Sequence, residues 1–334
     1  MDIAEIPPVL AEYPADCQPT QVEPLESAGG FSGARLWRLQ TGRGPLCLRR
    51  WPREHPTRER LEFMQAVLWH VWQEGFRLVP VPVETNRHRG YVLHAGHFWE
   101  LTPWMPGAAD YLAQPDPRKL KAALMALAQF HRASASFPLP DPGPRVSPGI
   151  QERRQLADEL TNGGLDQIAA AVAGRPVVEL ENAACHWLAL ASRSLELIRP
   201  SLAAAERVRV LTQPCLRDIW SDHVLFIGER VTGLIDFGAM RAETVAADIA
   251  RLLGSLARDD LADWRLGLAA YEAVRPLSDN ERQLIAAFDR GNVVLAAANW
   301  LRWIYLEHRC FPDLLAIRRR IEDSVRRMAA LKVN

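Results

Sequence analysis

One stretch of this chain gathers side chains suited to holding a divalent cation. In Leu216-Arg217-Asp218-Ile219-Trp220-Ser221-Asp222-His223, a polar loop holds two carboxylates and an imidazole. His223 to Ile227 then reads as a strand, Gly228-Glu229-Arg230 as a tight turn and Val231 to Ile235 as the return strand, which ends in Asp236-Phe237-Gly238. A loop, a hairpin and a second loop bring Asp218, Asp222, His223 and Asp236 to one end of that hairpin. Acids clustered at strand ends in a chain without net charge suit a divalent cation. Each acid taken alone has a plainer reading, Asp218 as a loop cap and Asp236 as a turn residue.

The elements that must carry these residues follow from pattern. The chain has 334 residues, which suits about two domains or lobes. Hydrophobic residues are 48% and charged residues 24%, a globular composition. Forty basic against forty acidic residues leave no net charge, which disfavours nucleic acid as a partner. No apolar run reaches the ~18 residues of a membrane span. The N-terminal stretch is acidic and contains prolines, so no signal peptide and a cytoplasmic location are expected. Five scattered cysteines without a CxxC fit a reducing compartment, mostly as small buried hydrophobes. Phe31–Leu39 and Pro45–Trp51 read as a hairpin about Gly42-Arg43-Gly44. Thr57–Gly75 reads as a helix, with Tyr91–Leu93 and His97–Thr102 as two further strands. Asp116-Pro117 starts a helix running to His131. Helices are expected over about 151–173 and 178–197, the latter ended by Pro200, and a capping box at Ser278 and Glu281 opens another. His94 and His97 are expected on opposite faces of their strands, so no metal pair is expected there. The basic C-terminal run, interleaved with Glu322 and Asp323, reads as a solvated helix face. Trp300, Trp303 and Tyr305 are either lobe core or the wall of an acceptor pocket for a cationic or apolar substrate.

Taken in order, these motifs resemble the aminoglycoside phosphotransferase and choline kinase superfamily. Its pattern is H-x-D-x-x-x-x-N, a hairpin, then a hydrophobic residue, Asp, Phe or Trp, and Gly or Glu; Asp218, His223 and Ile235-Asp236-Phe237-Gly238 stand at these places. Ser27-Ala28-Gly29-Gly30-Phe31-Ser32-Gly33 resembles the nucleotide loop, Leu46-Cys47-Leu48-Arg49 the strand with the phosphate-binding basic residue, and Trp99 to Gly107 the hinge. Leu127 to His131 resembles the helix ending in Leu-His. The resemblance covers about residues 20 to 310 and implies an α+β, bilobal, protein-kinase-like fold. A small β-rich N-lobe would span 1–103 and a larger, mostly helical C-lobe 104–334.

The implied activity is transfer of the γ-phosphate of ATP to a hydroxyl of a small metabolite. Gly29, Gly30, Phe31 and Ser32 would let backbone amides approach phosphate without an intervening Cβ. Alternation puts Cys47 and Arg49 on one strand face, Cys47 toward the adenine and Arg49 toward the phosphates, with Arg50 opposite as a solvated charge. Glu62 or Glu59 on the following helix would pair with Arg49 or simply face solvent, and Glu100 and Leu101 would belong to the hinge. Asp236, with His223 or Asp222, would hold Mg²⁺, and Asp218 would accept or orient the hydroxyl proton. Asp248 would brace the catalytic loop. Two departures matter: Leu216 replaces the family histidine, and His223 its asparagine. An imidazole suits Mn²⁺ better than Mg²⁺. Hence His223 is a ligand with altered preference, or Asp222 takes its role, or a metal is lost and the chain is a weakly active or inactive module that senses nucleotide or docks a partner. No room for an activation segment lies between Asp236 and Asp248, which disfavours a protein kinase. Amino alcohols, homoserine-like amino acids, thiamine-like compounds, sugars and aminoglycosides all remain open as acceptors, and the sequence leaves the oligomeric state unread.

Overall fold

The computed structural model describes residues 2–25, 33–141 and 143–331. By compactness they form two units, one of residues 1–137, 218–241 and 273–275, the other of 138–217, 242–272 and 276–334. The expected lobe boundary at 103 cuts the chain differently, because the following helix and the acid-bearing hairpin group with the sheet.

The first unit opens with a short helix α1 (Ile6–Leu10), then strands β1 (Pro19–Leu25), β2 (Arg35–Thr41) and β3 (Gly44–Arg50). Helix α2 (Arg58–Gln73) and strands β4 (Val92–His94) and β5 (His97–Pro103) follow. The sheet is antiparallel in the order β1-β2-β3-β5-β4. Alternation sends Leu46 and Leu48 of β3 and Leu101 of β5 into a core shared with Ile6, Val9 and Tyr13. Helix α2 starts where the Thr57 side chain accepts the Arg60 amide, and it buries Leu61, Met64, Leu68 and Val71. Gly75, at φ +90°, follows its end. Neither α1 nor β1 was expected. β1 carries Pro19 and Pro24 and buries none of its side chains, as suits an edge strand, so it shows no readable alternation.

His94 and His97 correct a sequence expectation. The turn between them, Ala95 at φ +51° and Gly96 at φ +78°, makes them direct cross-strand partners on one face. Strand alternation does not count across a hairpin turn. The His97 nitrogens are already engaged, Nδ1 with the Trp51 carbonyl at 2.7 Å and Nε2 with Arg53 at 3.4 Å.

Helix α3 (Pro117–Ser134) is capped as expected, with the Asp116 carboxylate accepting the Arg118 amide at 2.7 Å. The hairpin β6 (Val224–Ile227) and β7 (Arg230–Leu234) turns at Gly228, φ +60°. It is tied into the unit by the Leu234 amide, which donates to the Leu78 carbonyl at 2.8 Å, and by the Phe237 ring against Phe130.

The second unit is helical: α4 (Pro148–Glu159), α5 (Leu165–Gly174), α6 (Glu181–Ala205), α7 (Val245–Leu256), α8 (Leu261–Glu272), α9 (Asp279–Leu301) and α10 (Leu314–Ala330). The helix expected over 151–173 is broken at Asn162-Gly163-Gly164, where Gly163 takes φ +106°. Pro200 does not end α6. Burial of Leu195, Ile198, Leu202 and Ala205 carries the helix across it, against a local penalty of about 3 kcal/mol. The capping box forms as expected at Ser278 and Glu281. Trp300, Trp303 and Phe311 pack edge to face or tilted, and Arg309 lies over Trp303 at 5.1 Å. Among the described residues no helix is long and apolar enough to cross a membrane.

Candidate active site

The side chains expected to do the chemistry meet in the first unit. Arg49 leaves β3 on the face of Cys47, opposite the buried Leu46 and Leu48. Its Nη1 stands 3.6 Å from Asp236 Oδ1, its Nε 3.9 Å from Glu100 Oε1, and its guanidinium 4.7 Å over the Trp51 ring. Asp236 follows β7 at φ +61°, a strained position for a side chain other than glycine. Its other oxygen lies 3.6 Å from His223 Nε2.

His223 spans the two aspartates. Its Nδ1 lies 2.7 Å from the Asp218 carbonyl, and its Nε2 accepts the Trp220 indole N–H at 3.0 Å. An indole only donates, so Nε2 is the acceptor and the proton sits on Nδ1, donated to Asp218. Trp220 escaped the sequence reading; a tryptophan shortly before a candidate ligand histidine was the available signal. Asp222 is exposed and accepts the Ser221 hydroxyl at 3.0 Å. Asp218 is half-buried.

The electrostatics follow from these neighbours. The protein packed around Asp236 works against its charge, but Arg49 first and then His223 outweigh it and hold the carboxyl below its ordinary range. Burial likewise opposes the charge of Arg49, and Asp236 and Glu100 overcome it, leaving the guanidinium more firmly protonated than usual. Burial dominates at Glu100 and raises its pKa, with Arg49 pulling the other way. Burial also pushes the Cys47 thiol up to about 11, so it is neutral. A cavity of about 40 Å³ opens beside Arg49, Trp51, Gln65, Glu100 and Asp236.

Three expectations need revision. Neither Glu62 nor Glu59 partners Arg49: Glu62 accepts the Tyr91 hydroxyl at 2.8 Å, and Glu59 is exposed in the first turn of α2. The carboxylates at Arg49 are Glu100 and Asp236. Glu100 lies inside β5, directly across from Arg49 in the register, rather than in a free hinge. Leu101 offers a ligand little: its side chain is in the core, and its carbonyl accepts the Val83 amide at 2.7 Å. Gly29, Gly30, Phe31 and Ser32 lie outside the described residues.

Within the second unit, the residues leading into Asp218 are fixed. The buried Asp248 carboxylate accepts the Leu216 amide at 2.7 Å and the Arg217 amide at 2.6 Å. Arg217, at φ +65°, pairs with Glu152.

Comparison with known proteins shows what the whole chain is similar to. The profile of the phosphotransferase enzyme family matches residues 25–284. The homoserine kinase of Beijerinckia indica is 26% identical over 274 residues, covering 80% of this chain and 76% of that protein. The homoserine kinase of Agrobacterium fabrum is 24% identical, covering 77% and 73%. Among solved structures, an amicoumacin kinase in complex with AMP-PNP, Ca²⁺ and Ami superposes with a TM-score of 0.66 at 13% identity, over 99% of this chain and 94% of that one. A microcompartment-associated aminopropanol kinase gives 0.65 at 16%, over 98% and 96%. An aminoglycoside phosphotransferase from Alicyclobacillus acidocaldarius gives 0.60 at 20%, over 97% and 93%. The fold is therefore kinase-like, a β-rich N-terminal part followed by a mostly helical one. The chain belongs to the phosphotransferase enzyme family and is a small-molecule kinase that uses ATP.

The donor set suits a divalent cation by its own chemistry. Asp236 fits: its side chain is 46% exposed and is met at 3.6 Å by the Arg49 guanidinium and by the His223 ring, which leaves oxygen lone pairs open. His223 fits as a nitrogen donor once Nε2 is released by Trp220.

Proposed function

We propose that this kinase phosphorylates the hydroxyl of a small amino-bearing metabolite, a homoserine-like amino acid or an amino alcohol. The names of its relatives, homoserine kinase and aminopropanol kinase, support this acceptor class. In this reading Arg49 binds the β- and γ-phosphates with its planar guanidinium, and Cys47 on the same strand face lines the adenine side. Asp236 with His223 holds a divalent cation, Mg²⁺ or Mn²⁺. When bound, the cation offsets charge that develops on the transferring phosphoryl group. Asp218 takes or orients the proton of the acceptor hydroxyl, and His223 holds the Asp218 carbonyl at 2.7 Å so that the loop keeps one shape. The observation that carries the reading is the placement of Asp236 between Arg49 and His223, with His223 bonded back to Asp218.

The test is turnover of ATP with a panel of amino alcohols, hydroxy amino acids, sugars and aminoglycosides, in Mg²⁺ and in Mn²⁺, with the product identified by mass. Acceptor-stimulated ADP release that falls by ~10² or more in Asp218→Ala is expected, since a positioned base contributes about 10²–10⁴. Normal turnover in that variant would discard the assignment. A second reading, a nucleotide-sensing module of little activity, rests on the His223 Nε2 already engaged by Trp220. Metal-independent ATP binding without any turnover would favour it.

A further inference from the structure

Arg49 needs a partner that keeps its guanidinium aimed, and the carboxylates of α2 are turned elsewhere. Glu62 is taken by Tyr91 and Glu59 is exposed. The polar residue that α2 buries is Gln65, at 2% exposure, and it is neutral. Its amide nitrogen donates to Glu100 Oε2 at 3.2 Å and to the Gly90 carbonyl at 3.0 Å. The fit is close, because a Cβ at position 90 would collide with the Gln65 amide and the Trp69 ring. Glu100, 8% exposed, then turns its second oxygen to Arg49 Nε at 3.9 Å, from the position directly across the β3–β5 ladder.

We infer that Glu100 is the positioning residue for Arg49: a strand-borne carboxylate, oriented by the neutral amide of Gln65, holds the phosphate-binding guanidinium from behind. The inference rests on the reading that Arg49 meets the triphosphate. Arg49 is shared between Glu100 and Asp236. Asp236 is partly exposed and serves the cation in the proposed reaction, so it cannot also fix the arginine. Glu100 is buried, pinned on both sides and backed by a residue that adds no charge of its own. A carboxylate at position 65 would place two buried anions 3.2 Å apart, which the Gln65 amide avoids.

The experiment is calorimetric titration of the full-length protein with a non-hydrolysable ATP analogue in Mg²⁺, with steady-state kinetics alongside. Wild type is compared with Glu100→Gln, Glu62→Gln and Glu59→Gln. Glu100→Gln is expected to weaken nucleotide binding and raise the KM for ATP by about 10- to 100-fold, as the buried partner charge that faces Arg49 at 3.9 Å is lost. The acceptor KM should stay within about twofold, a split that general destabilisation would not produce. Glu62→Gln and Glu59→Gln should bind nucleotide as wild type. Unchanged affinity in Glu100→Gln, or an equal loss in Glu62→Gln, overturns the inference alone. A wild type that binds no nucleotide overturns the parent reading and this inference with it. Should Glu100→Gln fail to fold by circular dichroism, Gln65→Leu serves, since it leaves both charges in place. It is expected to weaken binding severalfold with an unmoved acceptor KM, and wild-type affinity in that variant is the overturning result.

Discussion

Two acid–base clusters, one in each unit, use the same residue types for different ends. In the first unit, Arg49 stands 3.9 Å from Glu100 and 3.6 Å from Asp236, His223 stands 3.6 Å from Asp236, and the Asp236 carboxylate is partly open to solvent. In the second, Glu243 is fully buried and accepts the Ser147 hydroxyl at 2.7 Å, the Gly149 amide at 2.6 Å and the Thr244 amide at 2.9 Å. Asp248 is filled in the same way by two backbone amides. The arginines differ likewise. Arg49 faces carboxylates that keep it charged. Arg153 lies on the Phe288 ring, bonds the neutral Asn292 at 2.6 Å, and is brought down by burial to about 10. Long, charge-rich separations leave hydrogen-bonding capacity for a ligand, whereas short, saturated ones spend it on the fold.

The largest expected effect breaks the open cluster. Asp236→Ala should lower turnover by about 10³ while the melting temperature stays within about 2 °C, because ion pairs this long and exposed contribute little to stability. Thermal unfolding and initial rates on the same preparation check it; a fall in melting temperature that matches the loss of rate would erase the contrast. Next comes the saturated cluster. Glu243→Ala leaves a buried hydroxyl and two buried amides without their acceptor and should destabilise the protein by about 3 kcal/mol in urea unfolding. Wild-type stability in that variant would mean the buried carboxylate is not structural.

A smaller effect probes the boundary between the two kinds of cluster, at His223. Its Nδ1 is spent on the Asp218 backbone, like a scaffold group, while Nε2 faces Asp236, like a ligand. His223→Asn should shift the preference between Mn²⁺ and Mg²⁺ toward Mg²⁺ by severalfold, since an amide oxygen replaces an imidazole nitrogen. Metal-dependent ATP binding measures it, and an unchanged ratio would remove His223 from the metal site.

The same contrast explains what the sequence could tell. Asp218, His223 and Asp236 were legible because a loop, a hairpin and a loop fix where their backbones go, and β3 was legible because leucines alternate with Cys47 and Arg49. The partner of Arg49 was not legible. Glu59 and Glu62 stand close after Arg49 in the chain and Glu100 far beyond it, so nearness points to the helix, and only the strand register and the Gln65 amide identify Glu100. The His94–His97 pairing was misread because alternation was carried across a turn with two positive φ angles. The edge strand β1 stayed hidden because its prolines and exposed side chains leave no period, and α6 ran past Pro200 because tertiary burial outweighed the local break.

The smallest expected effect is a pH slope, and it sharpens the comparison by sign. Burial raises the pKa of Glu243 above its ordinary 4.5, although Ser147 and the Thr244 amide pull it down in part. Burial is outweighed at Asp236, whose pKa falls. Between 4.5 and the raised value, folded Glu243 keeps its proton while the unfolded chain has lost it. The unfolded state then binds fewer protons, so this residue's contribution to stability falls as pH rises through that window and levels off above the folded pKa. Asp236 acts in the opposite sense: its contribution is present above the unfolded carboxylate pKa and is lost as pH falls through the depressed folded value. Glu243→Gln cannot titrate. The stability of wild type minus that of Glu243→Gln, from urea midpoints at pH steps above 4.5, should therefore decline with rising pH and then become flat. A difference that rises across that window would mean that the bonds from Ser147, Gly149 and Thr244 outweigh burial, and that the saturated cluster holds its carboxylate charged as firmly as the open one does.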